Sequence, residues 1–318
     1  MPMQYWDFEK PIEELENKIR ELNEFSRDKE VNLSSELEKL QEKLKSLKRE
    51  IYSQLTPWQK VQISRHSQRP TTLDYVNSMM NNFIQLHGDR LFGDDKALIT
   101  GLARIEQEKI VLIGHQKGKD TKENIERNFG CAHPEGYRKA MRAMRLAERF
   151  SLPIVCLVDT PGAYPGIGAE ERGQALAIAE NIRDMFTIRT PIIVVVIGEG
   201  GSGGALGIGV GDKVFIMEYS YYSVISPEGC AAILWKDSRR APDAAKTLKL
   251  TAPELIELGV VDGIISEPEG GAHRDPHQAG LNLKDMLIHH LAELKKTDID
   301  SLLANRYQKF RSLGMFKE

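Results

Sequence analysis

The sequence predicts an α/β protein in which a mostly parallel sheet is covered on both faces and is preceded by a helical arm. Two continuous apolar runs, at residues 153–159 and 191–197, have the composition of strands that are buried on both faces. Segments predicted to be helical lie between these runs, from Pro134 to Phe150 and from Ala169 to about Phe186. Glycine-rich loops follow the predicted strands, and catalytic groups commonly lie on such loops.

The composition is that of a globular protein and argues against several classes. The 318 residues include 43 Lys and Arg against 46 Asp and Glu, so the chain lacks the basic excess of a nucleic-acid-binding protein. No run of about 18 apolar residues predicts a membrane span, and residues 1–20 lack the apolar core of a secretory signal. Cys131, Cys156 and Cys230 form neither a CxxC pair nor a disulfide framework. We therefore expect a cytoplasmic protein without a thiolate zinc site of its own.

Residues 1–70 are predicted to form a helical arm, followed by a catalytic domain over residues 71–318. Apolar residues at spacings of three and four predict two helices on either side of a polar break at residues 26–32. Ser35 and Glu38 are expected to form a capping box at the start of the second helix. Such a hairpin serves either as local packing or as a docking face for a partner or a second copy, and the sequence leaves both roles open.

Beyond the arm, the sequence alternates between helices and short strands. A helix is expected from Thr71 to about Leu86, and another begins at Ser226 with proline in its first turn. The remaining predicted strands are short β-rich segments at residues 97–105, 109–114, 213–218, 221–225 and 260–265. The strand–turn–strand–helix order differs from the simple alternation of a doubly wound sheet.

The most informative segment is the glycine-rich loop GEGGSGGALGIGVGD at residues 198–212, which follows the second apolar run and begins a short helix. So many glycines indicate close backbone approach to another group, or positive φ angles. Backbone N–H groups at the start of a helix can bind an anion or a developing oxyanion. Gly203 and Gly204 are the candidate donors, and a site of this kind requires no side-chain nucleophile.

Two other chemistries and one structural role fit the same loop. Residues 198–203 satisfy the GxGxxG pattern of dinucleotide binding, although the helix that follows is short and interrupted by glycine. Ser202 lies in a GxSxG pattern, with Asp262 and His273 following in the order of a hydrolase triad. The third alternative is a tight turn that packs a helix on the sheet without any ligand. The oxyanion site explains the excess of glycine best.

The glycine loop and five other segments resemble one known family. The other segments are LHGDR, GHQKG, HPEGYRK, DTPGAYPG and SPEG, at residues 86–90, 114–118, 133–139, 159–166 and 226–229. In order and spacing they are similar to the α subunits of bacterial acetyl-CoA carboxylase carboxyltransferases, which are biotin-dependent enzymes of the crotonase superfamily. The resemblance covers essentially the whole chain. It implies a crotonase- or ClpP-like superhelix of repeated ββα units with an N-terminal helical extension.

The resemblance also implies an activity and a set of partners. The implied reaction transfers CO2 from N1-carboxybiotin, held on a biotin carboxyl carrier protein, to acetyl-CoA, giving malonyl-CoA in the first committed step of fatty-acid synthesis. Charge develops on two oxygens, and in this family each of two homologous subunits supplies one oxyanion hole. Gly203 and Gly204 then face the ureido oxygen of biotin. The implied partners are a β subunit with a four-cysteine zinc site, in an α2β2 heterotetramer, and biotin carboxylase in a larger complex, with no metal in this chain.

Further residues near the donors are expected to line the substrate cleft. The candidates are Gly162, Ala163, Tyr164, Gly166, Arg172, Gly200, Gly201 and Ser202. Tyr164 is expected to pack on the biotin ring. Arg172 either holds a substrate carboxylate or forms an ion pair with a neighbouring acidic side chain. Substitution of Gly204 by alanine is expected to lower transfer sharply with little loss of folding.

The remaining polar candidates have simpler explanations. The basic loop around His115 and Lys117 is either a neighbour of the CoA phosphates or a solvated loop. His273 and His277 have helical spacing, but Pro276 lies between them and no third metal ligand is evident. The alternative function is a self-contained crotonase-type acyl-CoA hydratase or hydrolase, which needs a carboxylate pair or a Ser–His pair that the sequence does not supply. A scaffold protein that uses the helical arm is a third class.

Overall fold

The computed structural model describes residues 4–29 and 32–314. The helices in chain order are α1 (Lys10–Asp28), α2 (Ser34–Ser53), α3 (Pro57–Ser64), α4 (Thr72–Met79), α5 (Thr121–Glu126), α6 (Pro134–Arg149), α7 (Ile167–Glu171), α8 (Gln174–Met185), α9 (Ser202–Leu206), α10 (Pro227–Trp235), α11 (Ala241–Leu248), α12 (Ala252–Glu257), α13 (Pro276–Leu294) and α14 (Ile299–Arg311). The strands are β1 (Asn81–Leu86), β2 (Leu98–Ile105), β3 (Glu108–His115), β4 (Ile154–Thr160), β5 (Ile192–Gly201), β6 (Lys213–Met217), β7 (Tyr221–Ser223) and β8 (Gly263–Ile265). Within the described residues, no helix is both long enough and apolar enough to cross a membrane.

The strands form one eight-stranded sheet in the order β1-β2-β3-β4-β5-β6-β8, and β7 pairs with the end of β5. The first three strands are antiparallel, and all the later pairs are parallel. Every residue of β4 and β5 is buried, as the apolar runs predict. Cys156 and Val194 contribute to the core on the side of α6 and α8, whereas Val155 and Val195 contribute to the core on the side of α4 and α13.

The predicted helix from Thr71 to Leu86 is wrong over its second half. Helix α4 ends at Met79, and residues 81–86 form β1, which pairs antiparallel with β2. Asn82 has a φ of +54°, a left-handed conformation that is incompatible with a continuing right-handed helix. The pairing partner, β2, is distant in sequence from the helix start, so the local pattern could not reveal it.

Two smaller expectations about helix boundaries are also wrong. The helix predicted from Ala169 to Phe186 is divided into α7 and α8 at Gly173, which has a φ of +80°. The capping box at Ser35 and Glu38 does not form, because the N-cap of α2 is Leu33, two residues before the predicted one. The side chain of Asn32 instead accepts the Ser34 N–H at 3.1 Å.

The helical arm packs on the rest of the chain. Ile12, Tyr52 and Ile63 from the arm share a small apolar core with Tyr219. Glu9 is fully buried, and its carboxylate accepts hydrogen bonds from Tyr52 Oη at 2.6 Å and from Arg274 Nη2 at 2.7 Å. The local-packing role of the arm is therefore observed. The predicted polar break includes residues 30–31, which lie outside the described residues.

The regular pairing of β4 with β5 is interrupted near the carboxyl ends of the two strands. Val158 pairs with Val196, but the next pair joins Thr160 to Gly200. The chain thus advances two residues in β4 and four in β5, and the extra residues of β5 form an irregularity at this edge. The loop after β4 and the helix after β5 begin from this point, so it sets their relative position.

Candidate active site

Helix α9 begins directly at the end of β5 and has no side-chain cap. Its N-cap residue is Gly201, and the helix runs for only five residues, from Ser202 to Leu206. The first N–H groups of any α-helix have no acceptor within the helix, because the residues four positions earlier lie outside it. Ser202, Gly203 and Gly204 supply these N–H groups here. A short helix start of this kind presents backbone donors to whatever occupies the space in front of it.

Close packing explains two of the glycines in this segment. A Cβ atom at Gly201 would lie 2.2 Å from the carbonyl oxygen of Pro161, and one at Gly204 would lie 2.4 Å from the carbonyl carbon of Gly162. Such contacts displace backbone, so the expectation that Gly204→Ala leaves folding intact is wrong. At Gly203, by contrast, an added Cβ meets only Ile178 Cδ1, at an ordinary 3.6 Å. The two candidate donors therefore differ in how the fold tolerates a methyl group.

An apolar cavity of about 410 Å³ opens beside the start of α9. Its lining includes Ser202, Gly203, Leu206, Tyr222, Leu258 and Phe310. Gly203 contributes only backbone to this wall. The cavity thus combines apolar side chains with backbone atoms of a helix start, and a site of low dielectric strengthens hydrogen bonds made inside it.

The loop after β4 carries the next group of predicted residues. The Thr160 hydroxyl donates to Gly162 O at 2.7 Å and accepts the Gly162 N–H at 3.1 Å, which closes the turn. Gly162 and Ala163 then lie against Gly204. Tyr164 stacks on His133 with 4.0 Å between ring centroids, so one face of its ring is already covered.

Gly166 and Gly200 are also held by aromatic neighbours. A Cβ atom at Gly166 would lie 2.4 Å from Tyr164 Cε1, and one at Gly200 would lie 2.8 Å from Tyr222 Cδ2. Close packing within the fold therefore accounts for both glycines. Neither contact tests the predicted role of these residues in substrate binding, which remains a prediction.

Arg172 forms an ion pair within the fold. Its Nη2 atom donates to Glu135 Oε1 at 2.8 Å, and its guanidinium lies 4.4 Å from the centroid of the Phe92 ring. The ion-pair alternative for this residue is therefore the one that the structure contains.

The structure does not support the serine-nucleophile and dinucleotide-binding alternatives for the glycine-rich loop. Asp262 accepts the Val214 N–H at 2.6 Å and pairs with Lys309, whereas His273 stacks on His66 with 3.8 Å between ring centroids. Both triad candidates are thus engaged with partners other than Ser202. The five-residue length of α9 is also too short for the helix of a dinucleotide fold.

One group of metal-ligand type lies elsewhere on the surface. The ligand atoms of His289, His290 and Glu293 on α13 lie within 4.8 Å of one another, and no other such group occurs among the described residues. His273, the earlier metal candidate, is stacked on His66 and does not belong to this group.

A buried charge network lies at the carboxyl ends of β4 and β5, and the sequence did not reveal it as a unit. Lys117 Nζ lies 2.7 Å from both Asp159 Oδ1 and Glu199 Oε2, and Arg65 Nε lies 2.6 Å from Glu199 Oε1. Burial raises the pKa of Glu199, but the charges of Lys117 and Arg65 outweigh it and lower the pKa to about 2. Glu199 is therefore an anion inside an otherwise apolar strand. A charged residue inside a buried strand was the available signal, since such a residue requires a partner.

This network borders a second cavity, of about 530 Å³, between the arm and the ends of β4 and β5. Arg65, Arg69, Lys117, Asp159 and Glu199 all contribute to its wall. Arg69 forms a bidentate pair with Glu267, at 2.8 and 2.6 Å, and donates to Ile197 O at 2.7 Å. The cations of the wall are thus matched by carboxylates within the fold.

Comparison with known proteins places the chain in a family. A sequence model described as "Acetyl co-enzyme A carboxylase carboxyltransferase-like" matches residues 5–314. The acetyl-coenzyme A carboxylase carboxyl transferase subunit α of Thermus thermophilus is 57% identical over 312 residues, which is 98% of this chain and 99% of that protein.

Solved structures with the same fold are carboxyltransferases and a decarboxylase. Transcarboxylase 12S matches with a TM-score of 0.53 at 20% identity, over 67% of this chain and 41% of that one. A Pseudomonas malonate decarboxylase hetero-tetramer matches with a TM-score of 0.55 at 16% identity, over 69% of this chain and 90% of that one. The crotonase-like architecture is thus confirmed, and the identity to the curated relatives shows that the chain belongs to the family of acetyl-CoA carboxylase carboxyltransferase α subunits.

Proposed function

We propose that the chain is the biotin-side half of a carboxyltransferase active site. The reaction moves CO2 from N1-carboxybiotin to acetyl-CoA. The N–CO2 bond breaks, the methyl carbon of acetyl-CoA loses a proton to the ureido group, and a new C–C bond gives malonyl-CoA. As the N–CO2 bond breaks, negative charge develops on the ureido oxygen. Gly203 and Gly204 donate their N–H groups to that oxygen.

The observation that carries this proposal is the uncapped start of α9 at the wall of an apolar cavity. Donors fixed by a helix need no reorganisation when charge appears, and removal of one such donor typically costs about 3 kcal/mol of transition-state stabilisation. The cavity of about 410 Å³ has a mainly apolar lining and the volume to hold a small ring system whose polar edge meets the backbone donors. Both features favour the ureido ring of biotin as the group that lies against Gly203.

The partners follow from the need for a second oxyanion hole. We propose that a zinc-containing β subunit supplies the hole for the thioester, in an α2β2 assembly that also meets a biotin carboxyl carrier protein and biotin carboxylase. Exposed apolar side chains near the cavity support a protein neighbour, since Leu206, Val224 and Leu258 are 42%, 77% and 57% exposed. A cytoplasmic location accords with this set of partners.

Substitutions at Gly203 test the proposal more cleanly than those at Gly204. An alanine or valine at Gly203 keeps the N–H donor, and the first added carbon meets only Ile178 Cδ1 within 4 Å, so a loss of activity without a loss of stability reports on the site rather than on folding. In the complex with the β subunit, we expect Gly203→Ala to lower kcat/KM for the carboxybiotin donor at least tenfold and Gly203→Val to lower it further. The melting temperature of each variant should stay close to that of the wild type.

Two controls separate the alternatives. Gly204→Ala should lower both activity and thermal stability, because its methyl group meets the Gly162–Ala163 backbone. Carboxyl transfer at the wild-type rate by Gly203→Val would contradict the proposed site. Hydration or hydrolysis of acyl-CoA by the isolated chain would support the self-contained crotonase-type enzyme instead.

A further inference from the structure

We infer that Lys117 and Arg65 are positioning residues that determine where β5 delivers the Gly203 and Gly204 donors. The inference rests on the proposed function and deepens it, because it assigns a role to side chains that lie outside the wall of the cavity at Gly203. Glu199 is the residue through which both cations act, and it lies four positions before Gly203 in the chain.

The pairing of β4 with β5 is irregular near the carboxyl ends of the two strands. Between the pairs Val158–Val196 and Thr160–Gly200, backbone pairing is replaced by side-chain contacts. Asp159 Oδ1 accepts the Glu199 N–H at 2.9 Å. A Cβ atom at Gly198 would lie 2.4 Å from the same carboxylate oxygen, so the absence of a side chain there lets Asp159 reach the strand. The Asp159 carboxylate therefore sets the course of β5 just before the donors.

Lys117 makes the close approach of the Asp159 and Glu199 carboxylates electrostatically possible. Asp159 and Glu199 place two carboxylates beside each other at a site that is almost closed to solvent, since their side chains are 6% and 8% exposed. Two adjacent buried anions repel each other strongly unless a cation lies between them. Lys117 Nζ supplies that cation, at 2.7 Å from an oxygen of each. Without it, one carboxylate must take up a proton or move.

Arg65 links the helical arm to strand β5 through its pair with Glu199. Arg65 caps α3 and donates through Nε to Glu199 Oε1, while its other nitrogens bond Glu228 at the start of α10 and Tyr221 Oη. Tyr221 Oη in turn donates to Glu199 Oε1 at 2.7 Å. The guanidinium fork thus fixes Glu199 from the side opposite Lys117. The arm thereby contacts the strand that carries the donors.

The consequence for catalysis is geometric. Oxyanion donors act only within a narrow range of distances from the developing charge, and a misplacement of about 1 Å can cost on the order of a hundredfold in rate. The loop at residues 160–163 and the start of α9 are in van der Waals contact, with no room for a methyl group between them at Gly204. We therefore expect a shift of Glu199 to displace the start of α9, which is packed tightly at Gly204.

The test compares this network with a buried ion pair at the other end of β5. Lys117→Met removes the central cation, and Arg65→Lys keeps the charge but removes the fork. Arg306→Lys is the matched control, because Arg306 forms a buried pair with Asp212, with 2.7 Å between Nη2 and Oδ2, beside the first residue of β5. Each variant is purified as the complex with the β subunit, and kcat, KM for both substrates and the melting temperature are measured per folded complex.

We expect kcat to fall about tenfold to a hundredfold in Lys117→Met and Arg65→Lys, with both KM values within about twofold of the wild type. Arg306→Lys should lower the melting temperature but keep kcat within about twofold. If Lys117→Met does not fold, Arg65→Lys carries the test, since Arg65 is a quarter exposed and its variant keeps the charge.

Wild-type kcat in Arg65→Lys would overturn the inference, as would a rise in KM without a fall in kcat. An equal fall of kcat in Arg306→Lys would also overturn it, since it would show that any buried ion pair of β5 has this effect. The proposed function would survive each of these results, provided that Gly203→Val is inactive. Failure of the proposed function would instead appear as wild-type transfer by Gly203→Val.

Discussion

The two ends of strand β5 are both held by buried ion pairs, but they are built differently. At the amino end, the Arg306 guanidinium donates to both oxygens of Asp212 and to the carbonyls of Met185, Ile188 and Thr190, at 2.7–2.9 Å. These five hydrogen bonds use all the donors of the guanidinium. At the carboxyl end, the network around Glu199 borders a cavity of about 530 Å³. One end is closed by the fold, and the other end opens onto this cavity, a few residues before the candidate donors in the chain.

The same kind of interaction thus serves two purposes at the two ends of β5. A buried charge whose partners all lie within the protein interior contributes to the specificity of the fold. Removal of such a charge lowers the free energy of unfolding. A buried charge beside a cavity also determines the shape of that cavity. Removal of such a charge displaces nearby groups and lowers the reaction rate. The two ends of β5 should therefore respond differently to substitution, by stability at Arg306 and by rate at Arg65.

The greatest loss of stability is expected at the amino end of β5, where Arg306 pairs with Asp212. Arg306→Met leaves Asp212 buried without its cation, and breaking a buried pair in this way typically costs about 3–5 kcal/mol. The free energy of unfolding, measured by denaturant titration, should fall by that amount. Arg145→Met is the control, because the Arg145–Glu148 pair is exposed and its loss should cost less than about 1 kcal/mol. Equal losses in the two variants would contradict the distinction between the closed end and the surface.

The parts of the fold that the sequence predicts are those fixed by local pattern. The buried strands β4 and β5 follow from their continuous apolar runs, and the start of α10 follows from Ser226, whose side chain caps the helix, and Pro227 in its first turn. The segment that became β1 was misassigned, since its strand character depends on pairing with β2 and not on its own periodicity. Local pattern carries no information about which distant segment supplies a hydrogen-bonding partner.

The candidate site was predictable in its glycines but not in its charges. An excess of glycine signals close backbone approach, and Gly201 and Gly204 do lie against the backbone of the loop after β4. Arg65 and Glu199 are separated by 134 residues, so no spacing rule joins them. Only the folded chain brings the arm to the end of β5.

The open end should also be the acid-sensitive end. His115, at the carboxyl end of β3, and His273 are both buried; burial, helped by neighbouring positive charge, lowers the pKa of His115 to about 3 and that of His273 to about 2. In the unfolded chain a histidine titrates near pH 6.5, so the unfolded state binds the proton first as the pH falls. Stability is therefore fully present above about pH 6.5 and decreases below it, by up to about 1.4 kcal/mol per pH unit for each histidine.

The matching experiment replaces His273 by phenylalanine, which preserves the stack on His66 and removes one titrating group. Between pH 6.5 and 5, the free energy of unfolding of the wild type should fall by about 2 kcal/mol more than that of His273→Phe. His277→Gln, at an exposed histidine, should behave like the wild type. If His273→Phe and the wild type lose stability equally over this range, then His273 does not contribute to acid sensitivity.

The smallest expected effect lies at the open end itself, and it separates backbone from side-chain chemistry there. Ser202→Ala removes the hydroxyl at the first residue of α9 but keeps the N–H group and the positive φ of +50°, a conformation that is about equally strained for both residues. Stability should change by less than about 0.5 kcal/mol, and kcat of the complex should stay within about twofold of the wild type. Abolished transfer in a folded Ser202→Ala complex would instead favour a serine nucleophile, and the donors at Gly203 and Gly204 would then stabilise the oxyanion of its tetrahedral intermediate rather than the ureido oxygen.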